Sequence, residues 1–228
     1  MQFKLRRTFT LLAFLTVSVF GLAAYAYSNP GVAACVVSDG KQVPSAMQAQ
    51  LLSDASARIQ STFGALESKP IVVFFDDPNT FWPFKPNEYG STNFLGSRVC
   101  VIVGAKGQNI DVTAHELMHA EIANRVGYWR RFTQLPVWFD EGLAMQVDDR
   151  PTYTISFSES ESTNVDYVKS LQSSREFFAP SDELLTKNYA SAKVVVNKWV
   201  TDLGNSAVFS RLELIRAGES FESMINSK

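Results

Sequence analysis

The sequence predicts an α+β protein: a small sheet backed by one helix in an N-terminal lobe, a helical C-terminal lobe, and a functional site between the two. Three observations predict it. Two short runs rich in β-branched and aromatic residues, Ile71-Val72-Val73-Phe74-Phe75 and Arg98 to Val103, lie in the first half and read as strands. A helix bearing both of the chain's histidines follows the second run. Beyond residue 128 the apolar residues recur mainly at spacings of three and four, the helical period. Residues 27–228 are expected to form a single domain, with lobes of about 40–127 and 128–228, large enough to bury its own core.

The chain opens MQFKLRRTFTLLAFLTVSVFGLAAYAYSNPG, where Lys4, Arg6 and Arg7 precede an uncharged apolar run from about Phe9 to Tyr27. That order, with small residues at Ala24 and Ala26, is the composition of a secretory signal over residues 1–26. The run is also nearly long enough to span a bilayer, so an uncleaved N-terminal membrane anchor stays open as a second reading. Either predicts an exported body, periplasmic or secreted. Residues 27–228 carry 18 Lys and Arg against 23 Asp and Glu, a net charge of −5. This gives no electrostatic reason to expect nucleic acid or an anionic membrane as partner. The two cysteines, Cys35 and Cys100, are expected to pair in an oxidising compartment, the alternative being a buried strand thiol at Cys100.

Within the body, Ser45 to Phe63 places Met47, Leu51, Leu52, Ala55 and Ile59 on one helical face, with Ser45 as N-cap and Gly64 as stop. The two strands flank DDPNTFWPFKPNEYGSTN, an irregular stretch with three prolines and the aromatics Phe81, Trp82, Phe84 and Tyr89. These aromatics fit either a recognition surface or a cluster packed beneath the loop. Asn109 or Asp111 caps the next helix, which runs to about Val126 and stops at Gly127.

That helix contains His115-Glu116-Leu117-Met118-His119. Histidines four residues apart share one helical face, so both imidazoles can converge on one metal. Glu116 projects beside that metal, where it can take a proton from bound water. H-E-x-x-H on a helix is the signature of zinc peptidases. A catalytic zinc needs a third protein ligand and one open position. No third histidine exists, and the extended pattern HExxHxxGxxH fails at Ile122 and Arg125, so a carboxylate from a downstream helix is required. Leu135-Pro136-Val137-Trp138-Phe139-Asp140-Glu141-Gly142-Leu143-Ala144 supplies two, Asp140 and Glu141. Pro136 suits a first helical turn, and Gly142 and Ala144 are small enough to let this helix approach its neighbour closely.

HELMH followed by WFDEGLA resembles the gluzincin zinc peptidases: the thermolysin-like enzymes, the large aminopeptidases and the small bacterial peptidase MA-like domains. The resemblance covers roughly Ser91 to Gly204 and is specific at the two ligand segments. It implies a zincin-like fold, Zn²⁺ held by His115, His119 and Glu141, and Glu116 as general base. Asp140 then either orients a histidine or is solvated. The G-x-M-E-N motif of the aminopeptidases is absent.

Downstream, Asp148-Asp149-Arg150-Pro151 is expected to break the ligand helix, and TYTISFSESESTN to form a loop with a short strand. One helix is expected over Asn164 to Phe178, and another over the stripe Tyr189, Ala192, Val196, Trp199 and Leu203. A last helix should run from about Asn205 to Ala217. NYASAKVVVNKWVTDLG resembles the helix following the ligand glutamate in peptidase MA-like domains. Tyr189 is therefore a candidate donor to a developing oxyanion, or else a core tyrosine. The activity expected is zinc-dependent hydrolysis of peptide or protein substrates by an exported monomer. The alternative is a catalytically idle zinc-binding or envelope interaction module using the same cleft.

Overall fold

The computed structural model describes residues 29–38, 42–96, 98–153, 163–178 and 181–226. The signal or anchor segment and the short strand expected after Tyr153 lie outside these residues. Among them the chain is α+β, mostly helical around one three-stranded sheet.

The sheet is β1 (Ile71–Phe74), β2 (Gly90–Leu95) and β3 (Arg98–Val103), in the order β1-β3-β2. The central β3 runs parallel to β1 and antiparallel to β2. Alternation gives the sheet two apolar faces. On one, Phe74, Val101 and Val103 join the main core beneath α2 (Ala46–Phe63) and α3 (Ile110–Val126). On the other, Val73, Phe75, Cys100 and Ile102 pack with Ala34 and Cys35 of α1 (Pro30–Ser38). Cys35 and Cys100 form a disulfide with Cα atoms 6.2 Å apart, stapling α1 to the central strand. Phe81 packs edge-on against Phe75 in this second cluster, whereas Trp82 and Tyr89 are exposed. Phe81 thus takes the packed role, and Trp82 and Tyr89 do not.

The caps explain the helix limits. Ser45 and Gln48 form a reciprocal capping box at the start of α2. Asn109, rather than Asp111, caps α3 by accepting from Val112 N at 3.0 Å, while Asp111 pairs with Arg58. Beyond Gly127 the chain forms α4 (Tyr128–Gln134) and α5 (Val137–Ala144). The ligand helix α5 ends earlier than Pro151 suggests, tightening into a 3₁₀ turn over Met145–Val147. The helix expected over 164–178 is two, α6 (Thr163–Ser170) and α7 (Ser174–Phe177), because Ser173 and Glu176 form a second capping box between them. The long α8 (Asp182–Leu203) is followed by a 3₁₀ turn over Asn205–Ala207 and by α9 (Val208–Ala217). Gly218, at φ +121°, turns the chain into a further helix, α10 (Phe221–Asn226).

The third layer sets the depth of the site. Helix α5 is sandwiched between α3 and α8. A Cβ on Gly142 would lie 2.6 Å from the Ala192 carbonyl oxygen and 2.6 Å from Val196 Cγ2, so only glycine permits this approach. The neighbour that Gly142 lets α5 approach closely is α8. No helix among the described residues is long and apolar enough to cross a membrane.

Candidate metal centre

Histidines at i and i+4 of α3 project toward α5, where Glu141 meets them one turn into that helix. His115 Nε2 and His119 Nε2 are 3.1 Å apart, and Glu141 Oε2 lies 3.3 Å from each. All three side chains are buried. Ligand atoms held roughly 2.0–2.1 Å from one tetrahedral centre lie roughly 3.3 Å from one another, so this triangle has the dimensions of one face of such a centre. Glu141 Oε2 meets the two imidazoles as ion-pair contacts and makes no well-formed hydrogen bond among the described residues, an arrangement that a cation would complete. The two-nitrogen, one-oxygen donor set of His115, His119 and Glu141 can therefore hold a metal ion.

Each histidine has a carboxylate behind it. Asp140, adjacent to Glu141 but turned to the far side of the ring, accepts from His119 Nδ1 at 3.2 Å. It is paired in turn with Arg131, whose guanidinium stacks on Phe94 at 4.7 Å. Asp148 lies 3.6 Å from His115 Nδ1 and is gripped by Arg150, which stacks on Tyr153 at 4.7 Å. The Asp140 contact presents the Nε2 lone pair of His119 to the triangle, whereas Asp148 reaches His115 Nδ1 only as a nearby charge, without a hydrogen bond. Asp140 thus takes the orienting role rather than the solvated one. Asp148 was not apparent from the sequence, where it reads only as part of a helix break. Its one trace there is the i, i+7 spacing from Glu141, which would share a face if α5 continued.

The electrostatics follow from burial and pairing. Burial pushes the Glu141 carboxyl up, but the His119 and His115 imidazoles outweigh it and hold it far below the usual range. Burial pushes His119 down, yet the carboxylates of Glu141 and Asp140 raise it well above an ordinary imidazole. Burial opposes ionisation of Asp148 as well, and Arg150 with His115 reverses that. Both shifts favour an imidazolium–carboxylate pair of His119 and Glu141, whose proton a bound cation would displace.

Glu116 stands outside the triangle and leans toward β2. Thr92 Oγ1 lies 2.8 Å from Glu116 Oε2 and 2.8 Å from the Glu116 main-chain oxygen. Tyr189, on α8, packs with its ring centroid 6.1 Å from that of His115, between Tyr153 at 5.3 Å and Phe177 at 5.2 Å. Burial, reinforced by Glu141 and Glu116, pushes its phenol well above the usual value, so it stays protonated and able to donate. Every candidate site residue of the sequence therefore lies at or beside one centre. Those the sequence did not indicate are Thr92, Arg131, Asp148 and Arg150.

Comparison with protein-family models, with curated proteins and with solved structures finds no match to this chain.

Proposed function

We propose that this protein is a zinc-dependent peptidase of zincin-like architecture acting outside the cytoplasm. The observation that carries the reading is the pairing of a tetrahedral-sized ligand triangle with a carboxylate, Glu116, that is next to it in sequence yet not part of it. A purely structural metal site has no use for such a group. Zinc fits the donor set and, when bound, supplies a Lewis acid that polarises a carbonyl and acidifies water.

The chain's own residues supply the rest. Glu116 takes the proton of the attacking water and passes it to the leaving amine. Tyr189, kept neutral by burial, donates to the oxygen on which charge develops. Strand β2 is at an edge of the sheet, and among the described residues no strand pairs with its outer side. An extended peptide can align there, beside Glu116. The disulfide between Cys35 and Cys100 and the basic-then-apolar N-terminus support export.

The test is metal analysis with a peptide-library digest of the wild type and Glu116→Gln. Both are expected to hold roughly one zinc per chain, while cleavage falls by about 10²- to 10⁴-fold in the variant. Equal cleavage by the two would remove Glu116 as the base. Zinc in both with no cleavage by either would leave a binding module.

A further inference from the structure

Among the described residues Glu116 has no ion pair, yet its carboxylate has a defined place. Two residues of β2 define it. Successive strand residues face opposite sides, so Gly90 and Thr92 both point toward α3. Gly90 makes room: a Cβ there would come within 2.8 Å of Glu116 Cγ and 3.1 Å of Oε1. Thr92 supplies the contact, with its hydroxyl 2.8 Å from Oε2. Threonine is stiff about χ1, so the direction of that hydroxyl is set by the strand.

We propose that Thr92 is the positioning residue of Glu116, and that its hydroxyl serves the carboxyl both before and after proton transfer. The hydroxyl has one proton and two acceptors at equal distance, Glu116 Oε2 and the Glu116 main-chain oxygen. It donates to Oε2 while the side chain is a carboxylate. Once Oε1 has taken the proton of the water, Oε2 is still an acceptor, so the hydroxyl goes on donating to it and leaves the proton on Oε1 for the leaving amine. Neither state leaves a buried group unpaired, and no heavy atom moves. Oε1, which a Cβ on Gly90 would approach to 3.1 Å, is then the oxygen assigned to the reacting water. The part played in proton transfer rests on the peptidase reading; the positioning does not.

The experiment compares Thr92→Val, which keeps the shape and removes the hydroxyl, with Thr92→Ser, which keeps the hydroxyl. Three measurements are made on zinc-loaded protein: zinc affinity by chelator competition, steady-state kinetics, and the crystal structure of each variant. Thr92→Val is expected to bind zinc within about threefold of wild type, because Thr92 touches no ligand. Its kcat should fall by about 10- to 100-fold with KM little changed, the signature of a misplaced reacting group. Thr92→Ser should recover most of that loss. In the crystal, Glu116 should leave its place beside β2 in Thr92→Val and keep it in Thr92→Ser. Unchanged kcat in Thr92→Val, or equal loss in both variants, overturns the inference while leaving the peptidase reading intact. If the wild type itself cleaves nothing, the peptidase reading fails, and the crystal structures still decide: a carboxylate unmoved in Thr92→Val refutes the positioning role.

Discussion

Replacing Asp148 by asparagine tests whether the carboxylates behind the histidines hold the metal centre together. The side chain of Asp148 is fully buried, 3.6 Å from His115 Nδ1, and held on its other side by Arg150. A full pair of unit charges at that distance is worth about 4–5 kcal/mol at an effective dielectric constant near 20. An imidazole giving its lone pair to a cation carries only part of a unit charge, so the share lost to asparagine is nearer ~1.4–2.7 kcal/mol. That is a 10- to 100-fold weaker dissociation constant, the usual cost of removing such a partner. Chelator competition at neutral pH measures it directly. The neighbouring Asp149, with its side chain 72% exposed and pairing with Arg58 at 3.6 Å, is the control. Asp149→Asn should change the affinity by less than about twofold. If Asp148→Asn binds metal as tightly as Asp149→Asn, the role of Asp148 as a supporting charge is wrong.

Three further predictions concern stability. Mutating Cys35 and Cys100 together to alanine opens a loop closed over a sequence separation of 65, which in the chain-entropy model should cost about 4 kcal/mol in chemical denaturation; a loss below about 1 kcal/mol would show that α1 does not depend on its staple. Glu121, fully buried on α3, accepts from Glu67 N, Ser68 N and Arg125 Nε. Glu121→Ala should therefore cost roughly 3 kcal/mol, with metal affinity unaffected, and a near-neutral melting shift would refute the network's importance. In chelator-treated protein, Glu141 is depressed, so its contribution is present above the ordinary carboxylate value and lost as pH falls. His119 is raised, so its contribution is present below the ordinary imidazole value and lost as pH rises toward the folded one. The pair thus contributes most between roughly pH 4.5 and 6.5, and stability should decline above that window. Comparing denaturation of wild type and Glu141→Gln across pH isolates the term; a difference that keeps growing above pH 7 would contradict it.

How much of this was legible in the chain depended on how local each signal is. The pattern on α3 is complete within five residues, and the i, i+4 geometry needs nothing from the rest of the fold. Strand β1 and strand β3 announce themselves by β-branched runs. Strand β2, Gly90-Ser91-Thr92-Asn93-Phe94-Leu95, does not, because its residues are small or polar and only half-buried. Yet it is the strand that shapes the surroundings of Glu116. Helix α1 was hidden in another way, since Pro30–Ser38 continues an apolar run without a charge to mark a boundary. Asp140 and Glu141 could not be separated by sequence spacing alone: adjacent on one helix, one faces the front of the histidines and the other the back. Asp148 was illegible because a 3₁₀ turn intervenes, and no periodicity carries across a change of helical pitch.

The missing side chain at Gly142 has one more consequence. The residue before it is the candidate ligand Glu141, and the helix it lies against carries Tyr189 one turn from the contact at Ala192. Glu141 and Tyr189 are thereby carried on two helices in close contact, while the histidines lie on α3. A bulky residue at 142 would disturb the two in concert, as a single mechanical fault.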